Sequence, residues 1–293
     1  MHYSPLRYPG GKAKLAPLMK LLIQKTGHTN GVFVEPMAGG AGIALDCPIN
    51  GVVPEIVIND SDNGIFSFWL AILNETDRFI NDVMSVPLTI SEWDRQRQIY
   101  LSKSDSVGGY DYDLGFATFY LNRTNRSGIL KGGVIGGREQ DGKYKMDMRF
   151  NRKSLVAKIL TISAYKNRIL VCNMGVCDFL LYCEVKYAGN ALLYLDPPYY
   201  QKGKQLYKDY FTEHDHESLR RAIGKLHNVD WVLSYDNCPE VNTMYWGAWY
   251  RDVVMNYSLA RKRHTSEIMF FSSYEMIPTA QELEANNIKT ILY

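Results

Sequence analysis

The residues best suited to chemistry form the run Asp196-Pro-Pro-Tyr199, which closes the apolar stretch Ala191-Leu-Leu-Tyr-Leu195. Asp196 supplies a carboxylate, while Pro197 and Pro198 delete two backbone donors and stiffen the chain. The result is a turn rich in hydrogen-bond acceptors. It matches a flat group with two N–H donors, such as the exocyclic amino group of a base, and Tyr199 can stack on the ring. The same tetrapeptide is also an ordinary rigid turn, since Asp and Pro are turn residues.

The elements that must position this run follow an α/β alternation. Leu192 to Leu195 lack polar alternation, as expected of a strand buried on both faces of a parallel sheet, and such sheets collect ligands at their carboxyl ends. An earlier unit reads the same way. Val32-Phe-Val-Glu35 is a short strand, Pro36-Met37-Ala38-Gly39-Gly40-Ala41-Gly42 is a glycine loop, and a helix opens near Ile43. A second strand, Glu55-Ile-Val-Ile58, ends at Asn59-Asp60, where a carboxylate can accept from ribose hydroxyls. The dinucleotide fingerprint is incomplete because Leu45 occupies the third glycine position. Gly10-Gly11-Lys12-Ala13 lacks the spacing and hydroxyl of a nucleoside triphosphate loop. Later strands are expected at 169–171, 231–234, 249–254 and 268–271, the last two as an antiparallel pair. Asp178-Phe179, after the first of these, offers a carboxylate and a ring to a cofactor base, or a helix cap and a core side chain.

Between the second and third strands the pattern turns helical, with helices at about 65–73, 77–83, 91–101 (Ser91 as N-cap) and 112–120. This interruption predicts an inserted domain over 61–153, flanked by a parent domain of 1–60 and 154–293. Positive charge gathers at the end of the insert. Residues 123–153 hold nine Lys or Arg against three acids, although the chain as a whole is only +2. A basic, glycine-rich segment of this kind suits a phosphate backbone, and Asn and Arg side chains read purine edges. The candidate DNA contacts are Asn122, Arg123, Asn125, Arg126, Lys131, Arg138, Lys143, Lys145 and Arg261. The five cysteines show no C-x-x-C pair, and His214 and His216 have no third ligand nearby, so neither a disulfide framework nor a metal site is expected. No apolar run approaches the ~18 residues that span a bilayer, and the first residues lack a signal sequence, so a cytoplasmic protein without membrane contact is expected.

Pro5-Leu-Arg-Tyr-Pro-Gly-Gly-Lys12, Phe33 to Gly42, Ile58-Asn-Asp60, Asn122-Arg123 with Arg149-Phe-Asn151, Asp178-Phe179 and Asp196 to Tyr199 occur in the order seen in Dam-like DNA adenine methyltransferases (D12 class, α group). The chain resembles that family over nearly its whole length. The resemblance implies a Rossmann-like S-adenosylmethionine-dependent methyltransferase sheet with helices on both faces and a mainly helical target-recognition insert. It further implies that S-adenosylmethionine is held by Tyr8, Lys12, Glu35, Pro36, Met37, Ala38, Gly39, Gly40, Gly42, Asp60, Asp178 and Phe179, with S-adenosylhomocysteine as product. A flipped adenine of duplex DNA would sit at Asp196, Pro197, Pro198 and Tyr199 and be methylated on N6. Met37 stands where the family commonly carries an aromatic residue. Methylation of the cytosine amino group, of RNA or a protein amide, a non-catalytic DNA-binding regulator on the same fold, and a separate cognate restriction endonuclease as partner remain open at this point.

Overall fold

The computed structural model describes residues 3–7, 12–105, 109–201, 211–254, 266–288 and 291–292. Among these, eight strands form one sheet: β1 (Val32–Glu35), β2 (Glu55–Asn59), β3 (Ile169–Cys172), β4 (Ala191–Leu195), β5 (Asp230–Asp236), β6 (Trp249–Val254), β7 (Ser266–Phe271) and β8 (Ile291–Leu292). Their spatial order is β3-β2-β1-β4-β5-β7-β6-β8. The first five are parallel, while β7 runs antiparallel to both β5 and β6. The expected antiparallel pairing of 249–254 with 268–271 is present.

Chain order reverses at β1, which lies between β2 and β4. That reversal opens a crevice at the carboxyl ends of β1 and β4, the place where open α/β sheets bind ligands. Glu35 and Asp196 therefore face each other across the switch point because of topology, not local sequence. The core on each side of the sheet follows from strand periodicity. Phe33, Ile56, Ile58, Leu192 and Tyr194 enter one apolar cluster, and Val34, Val57, Leu193 and Leu195 enter the other. Every residue of β4 is buried, as its unbroken apolar run requires.

Helix α1 (Ala16–Lys25) precedes β1, and the short α2 (Asp46–Ile49) follows the glycine loop. Between β2 and β3 lie α3 (Asn63–Asn74), α4 (Thr76–Ser85), α5 (Ile90–Lys103), α6 (Tyr112–Thr124) and α7 (Arg152–Ser163). Phe68, Phe79, Phe116, Phe119 and Phe150 interlock in edge-to-face and stacked pairs at their centre. Helix α3 also packs on β3, so it belongs to the sheet's cover as much as to the bundle. The N-cap of α5 is Thr89, whose hydroxyl accepts from Glu92 N at 3.2 Å, and not the expected Ser91. Thr89 satisfies the orphan donor two residues earlier and lengthens the helix accordingly. A capping box of Thr212 and Asp215 opens the helix Glu213–Ile223 after β4. Among the described residues no helix is long and apolar enough to cross a membrane.

Candidate active site and target-binding face

The glycine loop after β1 is held by main-chain and side-chain clamps. Gly39 adopts φ 45°, a left-handed conformation in which Cβ-bearing residues are strained. Its N–H donates to Asp60 Oδ2 at 2.8 Å, and its carbonyl accepts from the Trp69 indole at 3.0 Å. Asn59 Nδ2 donates to the carbonyls of Pro36 and Met174 at 2.9 and 3.0 Å, and its Oδ1 accepts from Met174 N at 2.9 Å. One buried asparagine thus joins the loop after β1 to the loop after β3. Asn59 and Trp69 carry no charge and no glycine signature, so the sequence marks them only as a strand end and a core ring.

Two acids sit in this crevice. Glu35 is buried and accepts from Ala44 N at 2.9 Å. Burial pushes its carboxyl up to about 8, partly countered by the Ala44 N–H and reinforced by the charge of Asp196. Asp60 is raised to about 7, first by burial and then by Asp62, against the N–H groups of Asp62 and Gly39. Pro36, Ala38 and Gly40 are buried, and Met37 and Gly42 are half-buried along the same loop. Met37 packs against the apolar cluster beneath the sheet.

At the end of β4, Asp196 Oδ1 accepts from Ser234 Oγ at 2.8 Å and lies 3.4 Å from Lys12 Nζ. Among the described residues, Asp196 Oδ2 and the Pro197 carbonyl accept no hydrogen bond. Burial raises the Asp196 carboxyl, and Lys12 and Ser234 pull it back. Lys12 is itself buried and donates to Glu267 Oε2 at 2.7 Å. Its Nζ also lies 5.1 Å from the centroid of the Tyr199 ring. The Tyr199 hydroxyl donates to Glu267 Oε1 at 2.6 Å. Beyond it, Tyr200 N and Gln201 N donate to Asp236 at 2.8 and 3.1 Å, which fixes the exit of the turn. Pro198 is half-buried between them. Lys12 therefore belongs to the Asp196 turn, tied there by a carboxylate from β7.

Ser234, Asp236 and Glu267 escaped the sequence reading. Glu267 stands two residues into β7, opposite Asp236 in the β5–β7 register. Its signal was an acid at the head of the apolar run Ile268 to Phe271. Phe179 is fully buried and stacks on Tyr182 with centroids 6.1 Å apart. Asp178 is exposed in the first turn of α8 (Val176–Lys186), whose N-cap is Gly175. The pair thus divides, with the carboxylate at the surface and the ring in the core. Tyr8 and Arg261 lie outside the described residues.

The model of the D12 class N6 adenine-specific DNA methyltransferase family matches residues 8–268. The chain belongs to this family. Among solved structures, the rRNA methyltransferase aviRa of Streptomyces viridochromogenes is similar at 10% identity and a TM-score of 0.41, covering 95% of this chain and 89% of that one. A Legionella pneumophila protein of family DUF519 is similar at 10% identity and a TM-score of 0.35, over 94% and 88% of the two chains. No curated protein matches significantly.

The methyltransferase's candidate DNA contacts fall into two groups. Asn122 and Asn125 are buried and spent on the chain itself, which corrects their expected role as base readers. Asn122 Oδ1 accepts from Arg7 N at 2.7 Å, while its Nδ2 donates to the carbonyls of Arg7 and Gly128 at 2.9 and 3.0 Å. Asn125 Nδ2 donates to the carbonyls of Ile129 and Leu130 at 2.8 and 2.9 Å, and Oδ1 accepts from the Trp93 indole at 2.7 Å. Replacing Asn125 by alanine strands three partners and should cost about 3 kcal/mol of stability. A melting temperature equal to wild type, together with an altered methylation motif, would restore the reading role.

Arg123 is half-buried and donates to the carbonyls of Pro5 and Arg149. Arg126, Lys143 and Lys145 are exposed, and Lys131 is half-buried. Arg138 is exposed but held by Asp94 through two contacts of 2.8 Å. Trp93, Arg97, Arg126, Arg138 and the backbone at Gly133 and Gly137 line a groove of about 390 Å³. Three guanidiniums, that of Arg138 held by Asp94, thus lie beside an indole and glycine backbone.

Proposed function

We propose that the protein transfers a methyl group from S-adenosylmethionine to the N6 amino group of an adenine flipped out of duplex DNA, with residues 61–153 as the target-recognition unit. The observation that carries this reading is the division of labour at Asp196. One oxygen is held by Ser234 and Lys12, and the other, with the Pro197 carbonyl beside it, has no partner among the described residues. Two adjacent acceptors on a stiff turn suit two amino hydrogens. Accepting them draws electron density toward the nitrogen, whose lone pair is otherwise delocalised into the base. Tyr199, fixed through its hydroxyl by Glu267, supplies a ring on which the base stacks.

The crevice fits the cofactor in its charge. Glu35 and Asp60 flank the glycine loop, and a ligand with a sulfonium and an ammonium group compensates exactly such buried acids. When bound, S-adenosylmethionine supplies a methyl group activated by the positive sulfur. The side chains of this chain orient the acceptor amine and exclude water from it. The test is transfer of labelled methyl to duplex DNA followed by nucleoside analysis. N6-methyladenine is expected; N4-methylcytosine, or label in RNA alone, would replace the reading.

A pH dependence follows from the same two acids. Both have folded-state values above their ordinary ones, at about 8 for Glu35 and about 7 for Asp60. Each therefore binds protons more tightly in the folded chain. Their contribution to stability is complete below about pH 4 and is lost as the pH rises toward about 8. A cationic ligand favours the ionised forms, so cofactor binding should release protons and tighten between about pH 6 and about pH 8. Calorimetry across that range tests this. An affinity indifferent to pH, or one unchanged in its pH slope by Glu35→Gln, would remove the two acids from the cofactor site.

A further inference from the structure

Four cations of the helical segment have acidic partners. Arg78 pairs with Glu75, Arg95 with Glu92, Lys103 with Asp111 and Arg138 with Asp94. One cluster does not. Arg7, Arg123, Arg149 and Lys158 meet where the N-terminal segment crosses the end of α6, and no carboxylate pairs with any of them among the described residues. Their donors go to main-chain carbonyls: Arg7 Nη1 to Asn125 at 3.1 Å, Arg123 Nη1 to Pro5 at 3.3 Å, Arg123 Nη2 to Arg149, and Lys158 Nζ to Ser4 at 2.9 Å. Arg123 Nε is buried without an acceptor.

The packing enforces this meeting of like charges. Asn122 pairs with both backbone groups of Arg7, and at Gly128, with φ 78°, a Cβ would stand 2.4 Å from the Arg7 carbonyl. The crossing is therefore close and fixed. Arg123 is pushed down to about 10 by burial and then by Arg7 and Arg149. Arg7 is lowered by burial and Arg149, and Lys158 by burial and Arg123. Guanidinium groups stay charged at such values, so the repulsion persists until an anion arrives.

We propose that Arg7, Arg123 and Arg149 clamp a single backbone phosphate of the DNA substrate; this rests on the DNA reading above. The Arg149 side chain is exposed, which leaves the cluster open on one side. Planar guanidiniums recognise a phosphate through paired N–H donors. Position argues for a phosphate close to the target base. Arg7 is five residues from Lys12, a span of at most about 18 Å, or roughly five base-pair rises. A phosphate held there fixes how far the duplex lies from Asp196.

The same oxyanion chemistry has a second source in the carboxylate of S-adenosylmethionine, so the experiment has two arms. Binding of a mixed-sequence 20-base-pair duplex is measured between about 50 and 200 mM salt for wild type, Arg149→Ala, Arg7→Ala and the double variant. Each single variant should weaken binding roughly tenfold, and because one phosphate is shared the salt slope of the double variant should fall by about 1, not about 2. Binding of S-adenosylhomocysteine, by calorimetry, should be unchanged, and the melting temperature of Arg149→Ala should not fall, since a repulsive charge is removed. A slope unchanged or lower by about 2 overturns the single-phosphate clamp while leaving methyl transfer by wild type intact. Loss of cofactor binding instead assigns the cluster to the carboxylate. If wild-type protein neither binds nor methylates duplex DNA, the functional reading and the clamp fall together.

Discussion

Asp196→Asn is expected to lower the single-turnover rate of methyl transfer by about 10²–10³, with little change in cofactor affinity. The substitution keeps the shape of the side chain and the acceptor for Ser234 Oγ. It changes the second position from an acceptor to a donor. Two N–H groups then face the amino group of the base, and the polarisation that makes its nitrogen nucleophilic is lost. Unfolding is not the expected cause of the defect, because burial already disfavours the Asp196 charge and Lys12 retains Glu267. Labelled transfer alongside a thermal melt separates the two effects. A variant that keeps the wild-type melting temperature and a rate within about threefold of wild type would deny Asp196 its role.

Glu267→Ala carries the largest expected stability loss, about 3–5 kcal/mol. The carboxylate is buried and joins Lys12 Nζ at 2.7 Å to the Tyr199 hydroxyl at 2.6 Å. Truncation strands an ammonium in a site with almost no solvent and leaves a phenol without its acceptor. Asp196, at 3.4 Å, is a poorer partner for Lys12 and is already engaged by Ser234. Removing the charge as well, in Lys12→Met with Glu267→Leu, should recover a substantial part of the loss, since a buried pair replaced by apolar groups is often tolerated. Urea unfolding of the two single variants and the double variant forms the cycle. Strictly additive losses, or a cost below about 1 kcal/mol for Glu267→Ala, would show that the pair is not coupled.

What was legible in the sequence was local. The unbroken run 191–195 and the loop after Glu35 each declare their conformation through residues a few positions apart, and each is found where expected. The helical interruption between β2 and β3 was visible for the same reason. Two kinds of information were not. The first is partnership across the sheet: nothing near Lys12 points to Glu267, and nothing near Asp196 points to Ser234, because register between distant strands creates both contacts. The second is occupancy of polar groups. Asn122 and Asn125 carry the donors and acceptors of base readers, but the Arg7 backbone engages Asn122, and the Ile129 and Leu130 carbonyls with the Trp93 indole engage Asn125. The cations left beside them where the N-terminal segment crosses the end of α6 meet no carboxylate among the described residues, a distinction no composition count can draw.

The Lys12–Glu267 contact also bears on the order in which the protein is made. Its two ends are 255 residues apart in the chain, so closing it is among the last steps of folding during synthesis. At about 5–20 residues per second, the strands that carry Glu35 and Asp196 leave the ribosome about 8 to 32 seconds apart, and β7 follows later still. Until residue 267 emerges, Lys12 and Tyr199 lack the acid that orients them. A nascent chain can thus fold its parallel strands and its helices while the crevice stays incomplete, and reactivity toward nucleic acid is timed to the last strands of the sheet.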